Sequence, residues 1–137
     1  MKVLILSHGS LAKGLYEACN MIVGKMDFLN YLGLDNQGLE NFNQRIKLYL
    51  NKNKNKKICF LFDLKYGTPY NQVLIQLLNY KNIQYQIITG VNLPILLTLC
   101  MQLLCNENED VDLKKIVNDS KKSIEISEST IERNNNE

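Results

Sequence analysis

The chain has 137 residues, enough for one domain with a continuous core, and its 45% hydrophobic and 22% charged content is that of an ordinary globular protein. Sixteen basic against fourteen acidic side chains leave a formal charge of +2, which is too small to argue for a nucleic-acid partner. No apolar run approaches the roughly 18 residues of a membrane span, and the first residues lack a signal-peptide build.

Along the chain, strand and helix patterns alternate, which predicts an α/β fold with an open, mainly parallel sheet and helices on both faces. Lys2 to Leu6 reads as a buried first strand, ending at Ser7-His8-Gly9-Ser10. A helix follows over Leu11 to Val23, with Ser10 as N-cap, Gly24 as its stop, and an apolar face of Leu11, Leu15, Ala18, Cys19 and Ile22. Phe28 to Leu32 is a weaker second strand, and Leu39 to Leu50 a second helix with Leu39, Phe42, Ile46 and Leu50 on one side. The alternating Lys and Asn of residues 52–57 read as a solvated loop, with contact to a partner protein as the lesser alternative.

Ile58 to Phe62 is an unbroken apolar block, the signature of a central strand covered on both faces, and it ends at Asp63. Thr68 as N-cap with Pro69 at the first helical position opens the next helix, which runs to about Tyr80. A fourth strand covers Gln84 to Thr89, followed by Gly90-Val91-Asn92-Leu93-Pro94 and a helix over Ile95 to Leu104. Val111 to Ser123 forms a last amphipathic helix, and alternation at Ile124 and Ile126 suggests a short fifth strand. The domain therefore spans residues 1–127, with a polar, frayed tail over 128–137. Cys19, Cys59, Cys100 and Cys105 form no CxxC pair and lie in apolar stretches. They read as small core residues in a reducing, cytoplasmic setting, and not as a disulfide or zinc framework.

Right-handed crossovers with strand two on one side of strand one, and strands three and four on the other, give the order 2-1-3-4. The reversal point then lies between strands one and three. His8, on the loop just past strand one, and Asp63, at the end of strand three, face each other across that crevice. A histidine after a strand is commonly incidental, an aspartate there commonly a turn residue, and Thr-Pro commonly a mere helix start. Their convergence at one sheet edge is what carries meaning. A carboxylate that accepts from one imidazole nitrogen fixes the tautomer and leaves the other nitrogen as a nucleophile. The helix N-terminus at Thr68 and Pro69 offers free N–H groups to an anion, phosphate above all. These parts describe a histidine that becomes phosphorylated.

With Ser7-His8-Gly9-Ser10, Phe62-Asp63-Leu64, Gly67-Thr68-Pro69-Tyr70-Asn71 and Gly90-Val91-Asn92-Leu93-Pro94 in order at strand ends, the chain resembles the mannose-type enzyme IIA component of the bacterial sugar phosphotransferase system over roughly residues 1 to 127. The resemblance implies that His8 takes a phosphoryl group on Nε2 from the histidine-containing phosphocarrier protein. It implies donation onward to enzyme IIB, with the membrane components IIC and IID engaged indirectly and the sugar chosen by them. Asp63 would hold Nδ1, and Gly67 and Thr68 would lie beside the phosphate. A homodimer with exchanged C-terminal strands is implied, and no metal or organic cofactor. The family has two glycines before Thr/Ser-Pro where this chain has Tyr66-Gly67. If the first position needs φ > 0, a tyrosine there is strained. Tyr66, with Asn92, is instead a candidate for partner docking.

Three other readings compete. The phosphoryl-donor subunit of a dihydroxyacetone kinase shares the histidine but lacks the Gly-Thr-Pro…Asn pattern. A small tetrapyrrole chelatase also carries His-Gly-Ser, yet needs more metal-handling groups than a chain with one histidine supplies. A regulatory relic without transfer is disfavoured by the presence of both His8 and Asp63.

Overall fold

Two of the strands carry unbroken apolar runs, Val3 to Leu6 and Ile58 to Phe62, and the fold is built around them. The computed structural model describes residues 1–106 and 110–128. Its elements are β1 (Lys2–His8), α1 (Leu11–Val23), β2 (Leu29–Leu34), α2 (Gly38–Lys52), β3 (Lys57–Phe62), α3 (Thr68–Leu77), β4 (Gln84–Thr89), α4 (Leu93–Cys105) and α5 (Leu113–Lys121). All neighbouring strands pair in parallel in the order β2-β1-β3-β4, as the crossover argument predicts. Leu6 of β1 lies beside Leu32 of β2 and Phe62 of β3, so the carboxyl ends of β1 and β3 are level. From there the chain leaves β1 toward β2 and β3 toward β4, which opens the crevice between them.

Side-chain alternation divides the core into two layers. Val3, Ile5, Cys59 and Leu61 pack against Cys19, Leu96, Leu99, Cys100 and Ile116, under α1, α4 and α5. Leu4, Leu6, Ile58, Phe60 and Phe62 pack against Phe42, Ile46, Leu50, Val73 and Leu77, under α2 and α3. Strand β4 is different: Gln84, Tyr85 and Gln86 are exposed, as expected of an edge. Cys19, Cys59 and Cys100 are free and buried, and burial pushes the Cys59 thiol up to about 12, so these are packing groups and not reactive thiols. Cys105 departs from the expectation; it is exposed at the end of α4.

Several boundaries also move. His8 is the last residue of β1 and not part of the following loop, because its register with Leu34 extends the pairing with β2. Helix α3 begins at Thr68, so Gly67 holds the N-cap position and Thr68 lies one residue inside. Ser10 occupies the N-cap position of α1 without a side-chain bond to it. Ile124 to Ile126 form no strand within this chain and are exposed. An alternating pair of isoleucines cannot form a strand without a neighbouring strand, and this segment has none here. The expected frayed tail falls, from residue 129 on, outside the described residues.

Candidate functional site

His8 is presented by a turn that is tied down from beneath. Val3 to Ser7 are fully buried, and the Ser7 hydroxyl accepts the Ala12 amide at 2.7 Å. That bond satisfies one of the free N–H groups at the start of α1, the task the sequence reading gave to Ser10. Gly9 turns the chain at φ +58° and donates its amide to the Leu34 carbonyl at 2.7 Å. A Cβ on Gly33 would collide with the Gly9 carbonyl oxygen, so the ends of β1 and β2 pass as closely as bare backbone allows. The imidazole is left at the rim, its side chain 47% exposed.

Asp63 comes to it from β3. Its side chain is only 10% exposed, and one oxygen, Oδ2, accepts both the His8 backbone amide at 3.0 Å and the imidazole Nδ1 at 2.7 Å. The other oxygen accepts the Leu64 amide at 2.9 Å. Asp63 in turn donates its own amide to the Leu6 carbonyl at 3.2 Å. Burial pushes this carboxyl upward, but the His8 amide, the His8 ring, the Leu64 amide and the charge on His8 together outweigh it and hold Asp63 below the ordinary carboxylate value. An ionised carboxylate is acceptor-only, so it fixes the proton on Nδ1 and leaves the Nε2 lone pair free.

The turn from β3 to α3 packs on the other edge of the ring. Gly67 lies at φ −73°, which any residue adopts, so conformation is not why glycine is needed. A Cβ there would sit 2.9 Å from His8 Cε1, the ring carbon between the two nitrogens. The glycine is a slot for the imidazole. Tyr66, immediately before it, is the one described non-glycine residue with positive φ, at +65°, so the strain expected at this position is present. Its carbonyl accepts from Asn71 Nδ2 at 3.1 Å, and the Gly67 carbonyl accepts the Asn71 amide at 2.9 Å. The Tyr66 ring meets Tyr70 edge-on at 5.6 Å between centroids, and Tyr70 meets the buried Phe62 in the same way at 5.3 Å. Lys65 Nζ lies 5.0 Å from the centre of the Tyr66 ring. These contacts hold the strained residue while leaving it 68% exposed.

Thr68 starts α3, and no acidic residue lies in the first turn of that helix to compete with an anion. Asn92 is taken up differently: its Oδ1 caps α4 by accepting the Ile95 amide at 2.9 Å, so only its NH2 remains for a partner. Leu11 and Leu64, 50% and 59% exposed, add apolar surface on the two turns. Sequence reasoning missed Arg45. It donates to the Gly33 carbonyl at 2.7 Å and to Asn41 Oδ1 at 2.9 Å, pinning the end of β2 beside a cleft of about 690 Å³ that Ser10, Lys13 and Asp35 help to line. Only its separation from a glycine-bearing strand end hints at this in the sequence. Among the described residues no group of three His, Cys, Asp or Glu is arranged to hold a metal ion.

This geometry has counterparts among known proteins. Residues 2–117 match the family model described as the PTS system fructose IIA component, EIIA-man. The sorbose-specific EIIA component of Lacticaseibacillus casei is 28% identical over 104 residues, covering 74% of this chain and 72% of that protein. A PTS IIA protein associated with the fucose utilization operon of Streptococcus pneumoniae superposes with a TM-score of 0.74 at 27% identity, over 91% of each chain. The mannose/sorbose-specific IIA subunit of Enterococcus faecalis shares the fold, with a TM-score of 0.72 at 22% identity over 93% of this chain and 95% of that one. The chain belongs to the mannose-type EIIA family, and is a phosphotransferase-system IIA component, a phosphoryl carrier in sugar uptake.

Proposed function

We propose that His8 is the residue that carries the phosphoryl group. The observation that supports this best is the pairing of a half-exposed imidazole with a buried carboxylate through Nδ1, which leaves Nε2 as the nucleophile. Nε2 attacks the phosphorus of a phosphohistidine on the histidine-containing phosphocarrier protein. A new P–N bond forms as the donor's P–N bond breaks, and the donor nitrogen leaves with the electron pair. The Nδ1 proton stays in its bond to Asp63, whose charge balances the imidazolium that develops. Transfer to a histidine of enzyme IIB is the same exchange in reverse, so the membrane components are reached only indirectly. Gly67 and Thr68, at the start of α3, are the groups proposed to receive the phosphate oxygens. Tyr66 and the Asn92 amide are proposed as partner contacts. The proposed setting is the cytoplasm.

A homodimer with exchanged C-terminal segments fits the same reading. Among the described residues the outer edge of β4 has no strand partner, and a groove of about 570 Å³ runs beside it, lined by Ile87, Ile88 and Thr89 with residues of α5. Ile124 and Ile126, 74% and 96% exposed, are the apolar alternation that a partner's edge would receive. Sedimentation should give a dimer at micromolar concentration, and a monomer would count against the exchange.

Incubation with phosphoenolpyruvate, its kinase and the phosphocarrier protein should label the chain with an acid-labile phosphate. The label should vanish in His8→Ala, and label surviving there would defeat the assignment.

A further inference from the structure

Charge is distributed unevenly along this chain in a way the phosphoryl chemistry does not use. Between residues 41 and 106 there are eight Lys or Arg side chains and one acid, Asp63, which is already committed to His8. The acids are concentrated at the two ends of the sequence. Folding gathers the cations. Lys52, Lys54, Lys56 and Lys57 occupy the end of α2, its connection to β3 and the first position of β3, and Lys81 lies in the connection from α3 to β4. Both connections reach the amino-terminal edge of the sheet, opposite the edge that carries His8. They lie side by side: the Tyr80 hydroxyl donates to Asn51 Oδ1 at 2.7 Å, and Lys54 and Lys81 both line one shallow depression.

None of these five lysines forms an ion pair with another described residue. Lys52, Lys54, Lys56 and Lys81 are exposed and Lys57 partly so. One acid, Asp27, lines a depression with Lys56, Lys57 and Lys2, so the cations outnumber it there, and Asp110 and Asp112 belong to the connection after α4. Leu48 lies one helical turn before Lys52 and is 60% exposed, while Leu78, three residues before Lys81, is 80% exposed.

We infer that this face docks on an anionic phospholipid surface. A cluster of unpaired lysines with interleaved aliphatic side chains is what such a surface attracts, and it needs no shape complementarity from the protein. The alternatives fit less well. Single-stranded nucleic acid needs exposed rings for its bases, and the only ring in the two connections, Tyr80, is half-buried and tied to Asn51. A folded acidic partner needs an anchoring pocket, whereas the depression between the two connections is shallow and, apart from Tyr80, lined by Asn and Lys. Lysine, a point charge on a flexible stem, suits a fluid array of headgroups better than a fixed carboxylate fork. Docked in this way, the protein would turn His8 away from the bilayer, free to meet soluble partners.

The inference is independent of which residue carries the phosphate. Its test is co-sedimentation of the full chain with vesicles of phosphatidylcholine alone or mixed with phosphatidylglycerol, at about 0.1 M salt, where charges act over about 10 Å. The chain should pellet with the anionic vesicles only and be released at high salt. Each lysine neutralised should weaken partitioning about fivefold, so the quadruple variant K52Q/K54Q/K56Q/K81Q should lose it altogether. That variant should still be phosphorylated in solution at the unaltered rate, which shows that it is folded. Failure of the native chain to pellet with anionic vesicles, or equal pelleting of the variant, overturns the inference. Retention of the native chain only by an acidic protein column, with no vesicle binding, overturns it in favour of a protein partner.

Discussion

The two turns that meet at His8 are built on opposite principles. The β1–α1 turn is two residues long, tied by the buried Ser7 hydroxyl and crossed at close range by β2. The β3–α3 turn is longer and exposed at Leu64, Lys65 and Tyr66, and it contains the strained Tyr66. The proposed nucleophile, His8, ends β1 at the foot of the rigid turn. The groups that orient it and crowd it, Asp63 and Gly67, come from the looser one. A site divided in this way keeps the reacting atom in place while the surface around it is free to vary with the partner. Substitutions in the two turns should therefore fail differently: on the β3 side by losing transfer, on the β1 side by losing stability.

The largest effect is expected at Asp63. In Asp63→Asn the amide can still accept from Nδ1, but it cannot balance an imidazolium. In either orientation its NH2 confronts a backbone N–H, that of Leu64 or that of His8. Phosphoryl transfer should fall roughly 10²- to 10⁴-fold, while stability falls by only about 1 to 2 kcal/mol. Stopped transfer with an intact melting transition separates the two. The sign of the pH effect follows from the depressed carboxyl. The unfolded chain takes up its proton first, near the ordinary value of about 3.9. Asp63 thus contributes stability that is full above that pH and lost as pH falls through the lower folded value. Acid unfolding of the native protein should show this steepening and Asp63→Asn should lack it, which equilibrium denaturation between pH 2 and pH 5 (approximate limits) would reveal.

Gly67 comes next. Alanine is allowed at φ −73°, so Gly67→Ala carries no backbone penalty, yet its methyl would stand 2.9 Å from Cε1. The ring must tilt out of line with Asp63, and transfer should drop about ten- to a hundredfold with little loss of stability. The imidazole carbon resonances in NMR should shift, and unchanged resonances would mean that the slot reading is mistaken. On the other turn, Ser7→Ala removes the acceptor for the Ala12 amide in a buried place, and a loss of about 1 to 2 kcal/mol is expected with transfer nearly normal once folded. Chemical denaturation measures the first, initial rates the second.

Much of this arrangement was legible in the sequence because it follows from strand positions. The unbroken apolar runs before His8 and Asp63 marked central strands, and crossover handedness then made their carboxyl ends neighbours. What was not legible depends on distances between residues far apart in the chain. Nothing near Gly67 announces that its missing methyl makes room for a ring 59 positions earlier. Ser10 looked like the cap of α1, but a hydroxyl buried three residues earlier reaches the helix first. The Thr68 boundary slipped by one because Gly67, although it caps with no side chain, has the extended backbone of a cap. The expected fifth strand differs for another reason: among the described residues Ile124 and Ile126 have no neighbouring strand to pair with.

Tyr66 is the smallest expected effect and the sharpest comparison with Gly67. The two neighbours reverse the usual logic: the tyrosine sits where a glycine would be comfortable, and the glycine sits where any backbone would do. Left-handed backbone costs a residue with a Cβ about 1 to 2 kcal/mol. The ring's contact with Tyr70 returns about 0.5 to 1 kcal/mol of that. Tyr66→Gly therefore removes both terms and also loosens the unfolded chain, leaving a net change within about 1 kcal/mol of zero. Tyr66→Ala keeps the strain and loses the ring, so it should be less stable than Tyr66→Gly by about 1 kcal/mol. If the alanine variant is the more stable of the two in urea titrations, the left-handed turn is not where the strain lies. If both variants keep their transfer rate from the phosphocarrier but lose it toward one acceptor, the exposed ring is kept for that partner, which would explain why a strained tyrosine stands where a glycine would serve the fold better.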